Sequence, residues 1–158
     1  MNYFLLNLFL AFAWMLLNGQ YSSMDFATGF LVGLIALKLG QPFGWHSRYF
    51  RRFKSAFTLL IYFSYQMLAS ALRVVWDVVT PQHLSEPDIV YVPLDASSDL
   101  EITLLANMIS LTPGSLSLDV TPDKKYLSVH VMFAPDHEVV IREIKQGLER
   151  KLLEVTRE

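Results

Sequence analysis

Cysteine is missing from all 158 residues, which excludes disulfides, thiolate metal sites and cysteine nucleophiles. Charge is scarce too. Only 18% of residues are Asp, Glu, Lys or Arg against 53% hydrophobic, and the mean hydropathy of +0.33 is too apolar for an ordinary soluble globule. Of the histidines His46, His83, His130 and His137, no two lie three or four apart, so no helical zinc pair is encoded. His130 and His137 are expected in solvent. There is no G-x-S-x-G elbow, Walker loop or dinucleotide fingerprint, and the sequence supports neither enzyme chemistry nor a cofactor. Internal repeats and low-complexity runs are lacking. Ahead of the first apolar run there is no basic region, and no small-residue cleavage site follows, so that run is read as retained rather than as a cleaved signal.

What is present is divided unevenly. Residues 1–80 carry six Lys/Arg against two acids, whereas residues 81–158 carry seven against thirteen. A basic, apolar membrane region (1–80) thus precedes an acidic, soluble domain (81–158). Three apolar segments, 3–17, 26–39 and 56–79, are expected to be helices. A full span needs about 20 apolar residues, so only the third is comfortably long enough, and the first two read as a short hairpin. Between the second and third lies residues 41–55, QPFGWHSRYFRRFKS, where Arg48, Arg51, Arg52 and Lys54 interleave with Trp45 and other aromatics. The same mixture occurs in nucleic-acid patches. Flanked by apolar segments, it is read as an interfacial loop touching membrane lipids, with no nucleic-acid partner.

Past Pro81 the patterning changes. IVYVPL (89–94) reads as a strand, and Ser98-Asp-Leu-Glu101 as a capping box opening a helix with Leu100, Leu104, Met108 and Leu111 at helical spacing. Residues 115–120 alternate Leu116, Leu118 and Val120 with Ser117 and Asp119. A second alternating run follows at 126–133, then a helix over about 136–155 with Val140, Ile144, Leu148, Leu152 and Val155 on one side. The expected fold is therefore a helical membrane half, a short hairpin plus one longer helix, joined to a small α+β domain of order β-α-β-β-α. Both helices of that domain should cover one face of its sheet. Thr112-Pro113-Gly114 is a structural turn, with Gly114 the left-handed helix terminator.

Two groups in the membrane half have competing readings. Gln66, Arg73 and Asp77 share a helix face, which suits an ion route, but Arg73 and Asp77 equally mark the end of a span at the headgroups, and that second reading is preferred. Gly29-x-x-x-Gly33 is a candidate helix-packing face.

The phrase LLANMISLTPGSLSLDV followed by YLSVHVMF, on a chain with this N-terminal hairpin, resembles the E subunit of Mrp-type multisubunit Na+/H+ antiporters, also called Mnh, Sha or Pha. The resemblance covers essentially the whole chain. It implies an accessory, non-catalytic subunit in a bacterial cell membrane, multi-pass, with a cytoplasmic C-terminal domain. It further implies partner subunits that themselves carry Na+ and H+, and a contribution to sodium extrusion and to alkaline and salt tolerance. The competing class is a stand-alone membrane-anchored ligand-binding or sensor module. The basic segment complicates the orientation: it should be cytoplasmic, and a full third span would then place the tail outside.

Overall fold

The structure is a computed structural model that describes residues 3–40, 48–81 and 85–157. It falls into two compact units, Met1–Arg51 and Arg52–Glu158. The compositional boundary at 80/81 is not where the contacts divide, because most of the third helix clusters with the α+β part.

The first unit is a hairpin of α1 (Tyr3–Asn18) and α2 (Ser23–Leu39). Gly19, at φ 66°, ends α1 in the left-handed region. Ser22 then caps α2: its hydroxyl accepts from the Asp25 amide at 3.1 Å and the Asp25 carboxylate accepts from the Ser22 amide at 3.3 Å. Asp25 therefore has a capping role. The large apolar side chains Phe4, Phe9, Phe12, Leu31 and Ile35 point outward, while the buried positions are Asn7, Ala11, Gly29, Gly33 and Leu37. Small residues inside and large ones outside is the reverse of a soluble core and suits lipid. At 16 and 17 residues the helices are about 24–26 Å long, short of a roughly 30 Å hydrocarbon layer.

The second unit begins with α3 (Arg48–Val79), which starts eight residues before the expected 56. Residues 48–55 of the supposed loop are thus helical, and Trp45 lies outside the described residues. Next come β1 (Asp88–Pro93), α4 (Asp99–Leu111), β2 (Ser115–Val120), β3 (Tyr126–Val131), α5 (His137–Glu143) and α6 (Arg150–Arg157). The sheet is antiparallel in the order β1-β3-β2, with Val90 opposite Val129 and Ser117 opposite the same Val129 on the other side. Val90, Val92, Leu127 and Val129 pack against Leu105, Ile109, Val140, Leu148 and Leu152 to form the core.

Three local expectations are corrected. The buried stripe of α4 is Glu101, Ile102, Leu105 and Ile109, whereas Leu100, Leu104 and Leu111 are exposed and Met108 packs on the core at its edge. In β2 the serines turn inward: Ser117 Oγ donates to the Ala106 carbonyl at 3.0 Å and Ser115 Oγ to that of Ile109 at 2.7 Å. Leu116 and Leu118 consequently face out, and an irregularity between Ser117 and Asp119 returns Val120 to the core side. The last helix is not uniform, since Ile144–Glu149 forms a π-helical turn between α5 and α6. Val140, Ile144, Leu148 and Leu152 recur every four residues, a spacing that drifts around a 3.6-residue helix. The wide turn resets the drift and keeps Val140, Leu148 and Leu152 buried.

Candidate functional site

Between α3 and the α+β domain lies a cleft of about 350 Å³. Thr112 to Ser115 build one wall. Thr112 Oγ1 donates to the Met108 carbonyl at 2.9 Å, and Gly114, at φ 84°, turns the chain into β2. A side chain at Gly114 would stand 3.4 Å from Val74 on α3 and 3.5 Å from Met132, so the TPG turn is also where the domain meets α3. Ile109, Val131, Phe133 and Leu148 make the floor.

The α3 wall carries Tyr62, Gln66 and Arg73, with Gln66 Nε2 donating to the Tyr62 hydroxyl at 2.9 Å. Arg73 is exposed in the cleft, but Asp77 is 3% exposed and does not line it. Among the described residues no ion pair joins Arg73 to Asp77. Gln66 and Arg73 thus share one surface while Asp77 sits apart. Lower on the helix, Tyr62 lies directly over Gly147 of the π turn, and Lys151 Nζ stands 5.1 Å from the Tyr62 ring centroid. A larger residue at 147 would collide with the Tyr62 hydroxyl.

Two buried carboxylates, Glu149 and Glu101, hold the loop after β1, and no local motif marks the first. Glu149 is fully buried; Oε1 accepts from the amides of Asp95 at 2.6 Å and Ala96 at 2.9 Å, and Oε2 faces Lys145 Nζ at 3.2 Å. Lys145 also reaches Asp95 Oδ2 and the Pro93 carbonyl, both at 2.8 Å. Burial works against the Lys145 ammonium, but Asp95 and Glu149 outweigh it and raise its pKa. Glu101, expected only as a cap, also accepts from Arg157 Nε and Nη2 at 3.1 Å and from the Thr156 hydroxyl at 2.9 Å. The Arg157 guanidinium, with the Ser97 amide, holds the Glu101 carboxyl far below the usual range. Apart from Lys145–Glu149 within the π turn, these contacts tie the C-terminal helical segment to the loop after β1 and to α4, and none opens onto the cleft. Helix spacing does relate Lys145 to Glu149, but burial of that pair depends on the sheet.

In the hairpin, Gly29 and Gly33 are covered by α1 of the same chain. A methyl at Gly29 would fall 2.8 Å from Trp14 Cβ and 2.9 Å from the Ala11 carbonyl; one at Gly33 would meet the Asn7 side chain. Among the interfacial residues, Arg51, Arg52 and Lys54 lie exposed on the first turns of α3, and Arg48 is its first residue. No group of three metal-ligating side chains occurs among the described residues.

A lipid-suited hairpin, a long apolar helix and a small α+β domain with apolar outer faces define a membrane-attached chain built to work against other surfaces. The family model described as Na+/H+ ion antiporter subunit matches residues 7–155, and the chain belongs to that family. It is 37% identical over 153 residues to the E subunit of the Na+/H+ antiporter of Alkalihalophilus pseudofirmus, covering 97% of each chain. To the corresponding E subunit of the Bacillus subtilis Na+/H+ antiporter it is 33% identical, again over 97% of both. Among solved structures it resembles a chain of the Mrp complex from Dietzia sp. DQ12-45-1b at a TM-score of 0.50 and 30% identity, over 63% of this chain and 93% of that one. The fold also matches a chain of the archaeal membrane-bound sulfane sulfur reductase complex, with a TM-score of 0.56 at 22% identity and coverage of 95% and 96%.

Proposed function

We propose that this chain is a non-transporting, assembly-stabilising subunit of a multisubunit Na+/H+ antiporter in the bacterial cell membrane. In that role it supports sodium extrusion and growth at high pH or salt without moving ions itself. The observation that carries this is the outer face of the sheet: Ile89, Tyr91, Leu116 and Leu118 are each 45–60% exposed on a domain whose opposite face is fully packed. A row of large apolar residues left outside a satisfied core fits a surface buried by partner subunits. The carboxylates of the three helices support the non-transporting role. Only Asp25 and Asp77 occur there, and Asp25 caps α2, so no series of acids is available for a proton relay. The proton and Na+ paths then belong to the partners.

Purification of the tagged chain from its native membrane should bring the other antiporter subunits with it, and alanine or charge substitutions at Tyr91 and Leu116 should reduce their yield. Recovery of the chain alone would favour the stand-alone sensor module, for which the cleft at Gln66 and Arg73 offers a ligand-sized space. Reconstituted by itself in liposomes, the chain should give no sodium-dependent pH change; a clear signal would refute the non-transporting role.

A further inference from the structure

α3 is long and apolar enough to cross a bilayer, over Phe50–Val79. Its two faces, however, meet different surroundings. On one side Leu59, Tyr62 and Phe63 pack on the α+β core, Tyr62 rests on Gly147, and Val74 touches the Gly114 turn. On the other side Phe57, Leu60, Ile61, Leu68, Leu72 and Val75 are all more than half exposed. Between Lys54 and Val79 the helix has only two charges, Arg73 and Asp77; Arg73 lines the cleft and Asp77 is buried. The outward face is therefore wholly uncharged.

The domain accompanies α3 from Leu59 to Val74, about 22 Å of helix axis at 1.5 Å per residue. The helix extends eleven residues before Leu59 and five beyond Val74, about 17 and 8 Å of axis, each well short of the roughly 30 Å of hydrocarbon. A bilayer-crossing α3 would have to draw the packed domain in with it. That domain has open strand edges at β1 and β2, and Lys151 and Glu143 stand beside Tyr62 and the cleft. Open edges and unshielded charges are not tolerated in hydrocarbon.

We infer that α3 does not cross the membrane but lies along it, with its Phe57–Val75 apolar face seated in an anionic bilayer surface and the α+β domain on its back. Charge supports lipid as the occupant. Arg52 and Lys54 are exposed at the start of the helix, where long basic side chains reach phosphates while the apolar stripe sinks beneath the headgroups. Trp76, 66% exposed, sits near the other end, a residue suited to the interface. The placement also removes the conflict over sidedness. Basic segments stay in the cytoplasm, and a helix that never crosses leaves its domain on the same side. Attachment of this kind requires a membrane but no antiporter partner, so it stands or falls separately from the subunit role.

The test uses the full chain in its native assembly, in vesicles of phosphatidylethanolamine and anionic phosphatidylglycerol. With no native cysteine, single spin labels at Phe57→Cys, Ile61→Cys, Leu68→Cys, Leu72→Cys and Val75→Cys report depth from oxygen against nickel-chelate accessibility. The expected result is one shallow depth shared by all five. A depth that rises to a maximum near the middle of the helix and falls toward both ends would mean a crossing helix and overturn the inference. Labels shielded from both oxygen and nickel chelate would also overturn it, assigning the face to a partner subunit. Independently, Glu154→Cys on the exposed side of α6 should react with a membrane-impermeant thiol reagent only after cell lysis. Labelling of intact cells would place the domain outside and refute the inference.

Discussion

Glu149 is a fully buried side chain that clamps the domain's loop after β1. Replacing it with alanine removes the acceptor for two amides, Asp95 at 2.6 Å and Ala96 at 2.9 Å. An unsatisfied buried N–H costs about 1–3 kcal/mol. Ala96 is 3% exposed and should sit at the upper end; the Asp95 amide is nearer solvent and recovers part of its loss from water. Lys145 is not stranded, because Asp95 and the Pro93 carbonyl still hold it. Loss of the buried side chain's packing adds to the amide terms, and the total is about 3–5 kcal/mol, the range for removing one partner of a buried pair. Glu149→Gln is the informative control. Its carbonyl oxygen still accepts both amides, but its NH2 group now points at the Lys145 ammonium, a donor against a donor, for about 1–2 kcal/mol. In a unit of about a hundred residues each kcal/mol shifts Tm by roughly 4–8 °C. Thermal unfolding of the detergent-solubilised full chain, followed by circular dichroism, should therefore fall by about 15 °C or more for Glu149→Ala and by clearly less for Glu149→Gln. Limited proteolysis should cut near residues 94–98 only in the alanine variant. Two variants that melt together, or both close to the parent, would refute the clamp.

Three further outcomes are expected. Gly114→Val should lower the stability of the domain by about 1 kcal/mol or more because φ is 84°, while Gly114→Asn should cost less, since asparagine tolerates the left-handed region; equal Tm values for the two would show that the backbone is not the constraint. Gly29→Ala should reduce the amount of chain in membranes, because the added methyl meets the Ala11 carbonyl, whereas Ala27→Leu on the exposed side should not; equal quantities on an immunoblot would count against the close hairpin seam. Glu101 has a depressed folded pKa, so its stabilisation is complete above the ordinary value of 4.5 and is lost as pH falls below it. The Tm gap between the parent and Arg157→Ala should accordingly be full at about pH 6 and shrink on acidification below about 4.5, and a gap constant with pH would refute that linkage.

Much of the secondary structure was legible because its signals are local. The Ser98/Glu101 cap, the glycine at 114 and the alternation at 115–120 and 126–133 involve neighbours within a few residues, and α4, β2 and β3 begin where those signals place them, although β3 stops at Val131. Faces were less legible. DLEITLLANMISL holds two apolar stripes at helical spacing, and of the stripe chosen from sequence Leu100, Leu104 and Leu111 are exposed while Met108 packs on the core. Glu101 made the true inner stripe look polar; Arg157 and Thr156, more than fifty residues away, join the nearby Ser97 and Ser98 amides in making its burial tolerable. β2 misled for a related reason. Serines pointing inward are costly unless acceptors wait for them, and those acceptors are the α4 carbonyls of Ala106 and Ile109.

By itself the sequence determined the order of elements, the α+β class, the apolar hairpin and the family resemblance. Capping, periodicity and turn chemistry act over one or two helical turns, and a characteristic string survives as text. Tertiary structure decided which faces are inside. It set Leu116 and Leu118 outward, buried Glu149 under the loop after β1, laid Tyr62 on Gly147 and turned Arg73 toward a cleft rather than toward Asp77. It also assigned α3 to the α+β unit, leaving one apolar face of that helix uncovered. Burial is a property of what arrives from elsewhere in the chain, and no window of neighbouring residues contains it.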